Sequence, residues 1–295
     1  MKKYVDPPRL SASFSKSGKC AKKRFENILD TRIKKKGYAS LAAAVACIAV
    51  LGGCFTAGGV SDEPVNILIA GKDASGERSD VLLMCSLNDT LNIEQIPRNT
   101  YTSVNGGTVI GRLDDSGSML EAAAEITGIY ADSCISVSFD GFRALIDAVG
   151  GVDITVPADM YYEDPYQGLV IDLPTGEQHL DGAGAEMLMR YRKGMPDENG
   201  VIDGYARGDL DRLDVQRELY YAVADKLLSE GVSAELAAAV SENTVSDMSV
   251  QDIAGVIKRA SKLSPGDIKI ETIKGYVSSG GLMGETYIPE QGDNL

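Results

Sequence analysis

The fold is decided by residues 65–99, "VNILIAGKDASGERSDVLLMCSLNDTLNIEQIPRN". An apolar run at 65–70 ends at Gly71 and reads as a buried strand. A second run at 80–86 leads through the turn "NDT" to a third at 91–96. Short aliphatic runs bounded by Gly, Asn and Asp are strand signals, and two joined by so short a turn predict a hairpin over 81–96. Lys72, Asp73, Arg78 and Asp80 crowd the mouth of the second strand. A solvated turn accounts for them, and so does a site for something doubly charged.

Outward from this stretch, strands and helices mix. Residues 120–126 are Ala- and Glu-rich and predict a helix stopped by Gly128. Residues 134–139, "CISVSF", alternate apolar and polar as a half-buried strand does. Asp140 is the expected N-cap of the helix "GFRALIDAV", closed by Gly150 and Gly151 before the strand "VDITVP". Residues 157–182 read as loop, 183–189 as helix, and "KGMPDENGVIDGYARGD" as a long polar loop. An amphipathic helix is expected over 209–229, further helices near 233–241 and 249–262, and a strand in "DIKIETIKGY". The expected fold is α/β, a single α-β-α sandwich with a mixed central sheet, preceded by one transmembrane helix.

Charge divides the 295 residues unevenly. Residues 1–36 carry 12 Lys/Arg against 3 Asp/Glu, whereas the whole chain has a net charge of −14. Residues 37–61 contain no charge at all, long enough for a helix to cross a hydrocarbon core. "RIKKK" just before them sets the expected orientation by the positive-inside rule. The expected organisation is a basic cytoplasmic tail (1–36), a single-pass anchor (37–61) and an extracellular domain (62–295, core about 66–228). A buried Ala-rich helix, a cleaved signal and a lipoprotein box ending at Cys54 are the other readings of 37–61. Cys85 and Cys134 each lie in an apolar run and are expected to be buried free thiols, with a disulfide as the alternative.

The single histidine, His179, sits in "EQHLDG" and reads as a surface residue, so no Ser/His/Asp or Cys/His centre suggests itself. "GKD" at 71–73 is no Walker loop. Arginines remain: nine lie between Arg78 and Arg217. Arg98 ends the third strand beside Arg78 and Asp80. Arg190 and Arg192 point the same way if extended, and Arg212 and Gln216 share one helix face. Planar guanidinium forks suit phosphate and pyrophosphate, and nearby aspartates suit Mg²⁺. Each residue alone is equally readable as a surface ion pair.

In order, "NILIAGKDASGERSDVLLMCSLN…LNIEQIPRNTY", "ISVSFDGFRALIDAVGGVDITVP", "LDGAGAEMLMRYRKG" and "GDLDRLDVQRE" resemble the segments of the LytR-CpsA-Psr family, with an echo in "GETYIPE". The resemblance implies a cell-envelope enzyme that moves a glycopolymer (teichoic acid, capsule or related polysaccharide) from undecaprenyl pyrophosphate to peptidoglycan and releases undecaprenyl phosphate. It implies Mg²⁺ (or Mn²⁺), an apolar tunnel for the prenyl tail, and metal-ordering roles for Asp73 and Asp80. It further implies pyrophosphate contacts from Arg78, Arg98, Arg190, Arg192, Arg212 and Gln216, with Asp80, Asp73 and Arg98 catalytic.

Two departures stand out: Asn99 replaces the family's usual aspartate after "IPR", and the next segment reads "GRLDDSGS", where Arg112, Asp114 and Asp115 are candidate substitutes. The alternative function is a non-catalytic polyprenyl-pyrophosphate binder or a regulatory, transcriptional attenuator-type envelope protein. The basic tail is explained by topology and shows no recognition helix, so nucleic acid is not an expected partner.

Overall fold

The structure, a computed structural model, describes residues 64–73, 76–166, 168–196, 202–230, 242–248, 263–281 and 284–290, plus isolated positions between 239 and 259. The expected anchor at 37–61 and nearly all of the helices expected near 233–241 and 249–262 lie outside the described residues. Among the described residues no helix is long and apolar enough to cross a membrane.

A six-stranded mixed sheet organises the domain. Its strands are β1 (Val65–Lys72), β2 (Ser79–Leu87), β3 (Leu91–Gln95), β6 (Ser133–Val137), β13 (Thr244–Ser246) and β14 (Ile268–Thr272), in the spatial order β13-β6-β1-β2-β3-β14. β6 runs parallel to β1, and β14 parallel to β3. β2 is antiparallel to both its neighbours, so β6, β1, β3 and β14 all point one way. The expected hairpin is β2–β3, with Leu83 opposite Gln95 and Leu87 opposite Leu91.

The unbroken apolar runs follow from this placement. On β1, Ile67 and Ile69 enter one core while Leu68 and Ala70 enter the other. On β2, Leu83, Cys85 and Leu87 divide from Leu82 and Met84 in the same way. A strand alternates its side chains between faces, so covering both faces demands apolar residues at every position. Cys85 and Cys134 fall on opposite faces, which keeps both thiols free and buried.

One face carries α1 (Ser116–Thr127), whose Met119, Ala122 and Ala123 pack on Leu68, Ala70 and Met84. The other carries α2 (Phe139–Ala148), α3 (Gly182–Arg190) and α4 (Asp209–Glu230). The cap of α2 corrects the expectation: Ser138, not Asp140, is the N-cap and accepts from Gly141 N at 3.1 Å. Asp140 instead enters the first turn, where a carboxylate complements the helix dipole. α1 ends as expected at Gly128, in the left-handed conformation with φ 73°.

The segment 157–182 is more ordered than a loop. It forms β8 (Met160–Asp164) against β9 (Leu169–Leu173), and β10 (Gly176–Leu180) against β7 (Val152–Val156). The polar stretch after α3 likewise folds back as β11 (Lys193–Pro196) on β12 (Ile202–Gly204). Two further ribbons, β4 (Tyr101–Thr102) with β5 (Thr108–Val109) and β15 (Gly275–Gly281) with β16 (Gly284–Pro289), complete the described strands. "DIKIETIKGY" is therefore split, its first half in β14 and its last two residues in β15.

Candidate functional site

The four codirectional strands place their carboxyl ends on one edge of the sheet, where open α/β sheets bind ligands. Arg98 follows β3 there, Phe139 follows β6, and Asp80 sits at the start of the antiparallel β2 on the same edge. The end of α3, the start of α4 and the β8–β9 and β11–β12 ribbons close over them. Between these elements lies a cavity of about 650 Å³. Its basic lining is Arg98, Arg190, Arg192, Lys193 and Arg212; Asp80 is the one carboxylate among the described lining residues. Its apolar lining includes Val81, Phe139, Tyr162, Leu169, Met189 and Ile202. A strongly acidic chain thus places five basic side chains on the lining of one cavity.

Asp209, the first residue of α4, organises three of those cations. Its Oδ2 lies 3.5 Å from Arg98 Nε and 3.3 Å from Arg212 Nη2. Its Oδ1 lies 2.5 Å from Arg192 Nε, an ion contact without hydrogen-bond geometry. Arg98 also pairs with Asp80 through Nη1 and Oδ1. Burial lowers the Arg98 pKa, but the Asp80 and Asp209 carboxylates more than offset it, and the guanidinium ends above its ordinary value. Arg212 behaves in the opposite sense. Only 5% exposed, it is pushed down to about 10, chiefly by burial, with Asp209 opposing and Arg98 and Arg192 reinforcing.

Besides Asp209 Oδ1, two donors on the cavity lining are buried without a hydrogen-bond partner: Arg212 Nε and the Tyr205 hydroxyl. Burial raises the Tyr205 pKa, so the phenol stays protonated and able to donate. An unsatisfied buried donor costs about 1–3 kcal/mol, which an anion with several oxygens relieves.

The sequence-derived residues divide clearly. Asp80, Arg98, Arg190, Arg192, Arg212 and Gln216 all line the cavity. Arg190 and Arg192 do so by another route than the one expected. Arg190 is the last residue of α3 and Tyr191 its extended C-cap, so the two arginines are not neighbours along one strand. Gln216 uses its amide structurally, donating to Met189 O at 3.1 Å and tying α4 to the end of α3.

Asp73 and Arg78 are not among the lining residues; they close the turn between β1 and β2, where Asp73 N donates to Arg78 O at 2.9 Å. Asn99 is absent from the lining, and its Nδ2 donates to Glu285 O at 3.1 Å. Asp115 caps α1 and, with Arg112 and Asp114, is absent from the lining. Sequence reasoning missed Asp209, Lys193 and Tyr205. The spacing of Asp209 three residues before Arg212 on one helix was the available signal.

As for a metal, no group of three or more His, Cys, Asp or Glu side chains placed to hold one occurs among the described residues. Mg²⁺ needs only one or two carboxylates when phosphate oxygens and water complete its shell. Asp80 on the cavity wall and Asp73 on the adjoining turn have that hard-oxygen chemistry.

The model of the LytR_cpsA_psr family matches residues 35–293. The chain belongs to this family. A polyisoprenyl-teichoic acid–peptidoglycan teichoic acid transferase, TagU of Bacillus cereus, is 31% identical over 179 residues, covering 56% of this chain and 53% of its own. The chain thus spans about half the length of the curated relatives it matches. Among solved structures, Bacillus subtilis TagV is 25% identical with a TM-score of 0.61, covering 78% of this chain and 92% of its own. A LytR-Csp2A-Psr enzyme from Actinomyces oris shares the fold at 20% identity and a TM-score of 0.65, covering 82% of this chain and 92% of its own.

Proposed function

We propose that this chain transfers a glycopolymer, of the teichoic acid, capsular or related polysaccharide class, from undecaprenyl pyrophosphate to peptidoglycan and releases undecaprenyl phosphate. One observation carries the reading: a cavity lined by five basic side chains, with Arg212 Nε and the Tyr205 hydroxyl buried and unpartnered beside it. That is a receptor for a multiply charged oxyanion. The apolar wall of Val81, Phe139 and Leu169 belongs to the same cavity and supports a prenyl tail next to that anion.

In the proposed reaction a peptidoglycan hydroxyl oxygen attacks the phosphorus that bears the polymer. A phosphodiester forms there, the anhydride P–O bond breaks, and undecaprenyl phosphate departs with the bond's electron pair. Asp80, the carboxylate on the cavity wall, takes the hydroxyl proton. Arg98, Arg190, Arg192 and Arg212 neutralise the charge that develops on the departing phosphate, and Asp209 holds Arg98, Arg192 and Arg212 in position before the reaction. Asp80 with Asp73 would hold Mg²⁺ or Mn²⁺, which when bound supplies further Lewis-acid charge withdrawal. The uncharged 37–61 stretch and the "RIKKK" before it support a single-pass membrane anchor, a cytoplasmic N-terminus and an extracellular domain. Asn99 is the ground for a non-catalytic binder, and it lies off the cavity, so the ligase reading is preferred.

The test uses the full-length chain with a polyprenyl-pyrophosphate-linked glycan, Mg²⁺ and peptidoglycan fragments, read by polyprenyl phosphate release and product mass. The parent is expected to give the joined product. Arg98→Ala is expected to lower turnover by about 10²–10³-fold, the loss typical of removing one fixed charge donor. Binding of the carrier without any product would overturn the ligase and favour the binder.

A further inference from the structure

Beyond the cavity, α2 and α3 share a charged network that neither the fold nor the reaction above requires. Glu186, one turn before Arg190 on α3, is buried and 7% exposed. Its Oε1 accepts from Arg190 Nη1 at 2.9 Å, and its Oε2 from Arg143 Nη1 at 2.5 Å. Arg143, on α2, reaches Asp140 with its other terminal nitrogen. The Arg190 guanidinium also lies over the Phe139 ring, 4.7 Å from its centroid. A carboxylate beneath and an aromatic face beside it hold Arg190 in place at the cavity wall.

Charge explains why two arginines share one carboxylate. Paired with Arg190 alone, Glu186 would cancel the charge that the cavity needs from it. Arg143, outside the cavity, occupies the second oxygen; its other partner, Asp140, is 80% exposed and screened by water, so the charge that Arg143 brings to Glu186 is only weakly offset. Burying an acid is costly unless its lone pairs are filled, and Arg143 and Arg190 fill both oxygens.

We propose that Glu186, counter-charged by Arg143, is a positioning residue that fixes the Arg190 guanidinium where charge develops on the departing phosphate. The role of Arg190 toward the pyrophosphate rests on the reading above; the immobilisation of Arg190 does not. A positioning role predicts an uneven effect. Glu186→Gln keeps the side-chain shape and a hydrogen-bond acceptor but adds one net positive charge to the site. Binding of the anion is then unchanged or tighter, while turnover falls because Arg190 is misplaced, and small misplacements can cost about 10²-fold.

The experiment measures three quantities on the full chain and Glu186→Gln. The first is side-chain NMR of ¹⁵N-labelled arginine, with Arg190 assigned by its loss in Arg190→Lys. The parent is expected to show separate Nη signals for a guanidinium that turns slowly about Cζ–Nε, and Glu186→Gln a single averaged one. The second is affinity for farnesyl pyrophosphate, expected to be equal or higher in Glu186→Gln. The third is transfer turnover, expected to fall at least tenfold, with no further fall when Glu186→Gln is added to Arg190→Ala.

Unchanged Nη signals in Glu186→Gln, or an equal loss of turnover in the Arg190→Ala background, would overturn the proposal. So would loss of affinity together with thermal stability, the mark of a merely structural role. A parent without transfer activity would count against the ligase reading instead, with the Arg190 signals still deciding the fate of this one.

Discussion

Arg212 shows at the scale of one residue how a binding site works against the fold that carries it. Its guanidinium is nearly buried, its Nε has no hydrogen-bond partner, and burial pushes its pKa down to about 10. A base whose folded value is depressed weakens the fold while it stays charged, and the deficit fades only as pH rises beyond about 10. Arg212→Met removes the buried charge, and Asp209 keeps Arg98 and Arg192 as partners. Stability of the unliganded chain is therefore expected to hold or rise by about 1 kcal/mol, while affinity for farnesyl pyrophosphate is lost. Chemical denaturation and calorimetric titration of the same preparation check both halves. A clear loss of stability would mean that Arg212 is a structural residue. Arg212 itself was legible from its spacing to Gln216. For Asp209 only the pairing with Arg212 was legible, because Arg98 and Arg192 come from beyond the ends of β3 and α3, segments that only the fold brings to it.

Elements were legible where burial set the pattern and obscure where it did not. β1 and β2 are covered on both faces, and their apolar runs announced them. β8 and β9 form a two-stranded ribbon with Tyr161 and Val170 exposed, so Gly, Pro and Asp dominated the reading and the strands passed as loop. At α2 the reading of Asp140 as the cap was two residues late: the backbone turns into the helix at Ser138, whose hydroxyl takes the capping bond. The cap of α1 has a measurable consequence. The Asp115 carboxylate accepts from Ser118 N at 2.7 Å, a bond that holds its pKa below the usual aspartate value. For an acid with a depressed folded value, the stability it adds is present above its unfolded value and is lost as pH falls through the folded one. Asp115→Asn keeps a capping oxygen that does not titrate. Its melting temperature is expected to fall less steeply than the parent's below about pH 4, followed by calorimetry across pH. Parallel acid limbs would contradict the capping account.

For the whole molecule, one architectural fact produces the site. Four codirectional strands end on one edge, and the segments leaving β3 and β6 meet the termini of α3 and α4 over it. A chain of net charge −14 thereby presents five basic side chains at one cavity, which favours capture of an anion. The mixed sheet was predictable from strand and helix order. The cavity was not, because it is built from ribbons and helix ends whose meeting depends on tertiary packing. The central claim is that this cavity directs attack on a carrier pyrophosphate, and ³¹P NMR of the full chain with a polyprenyl-pyrophosphate-linked glycan tests it most directly. With peptidoglycan fragments present, the paired anhydride signals are predicted to give way to one phosphomonoester and one phosphodiester. Anhydride signals that persist, or two monoesters that form equally well without the acceptor, would contradict it.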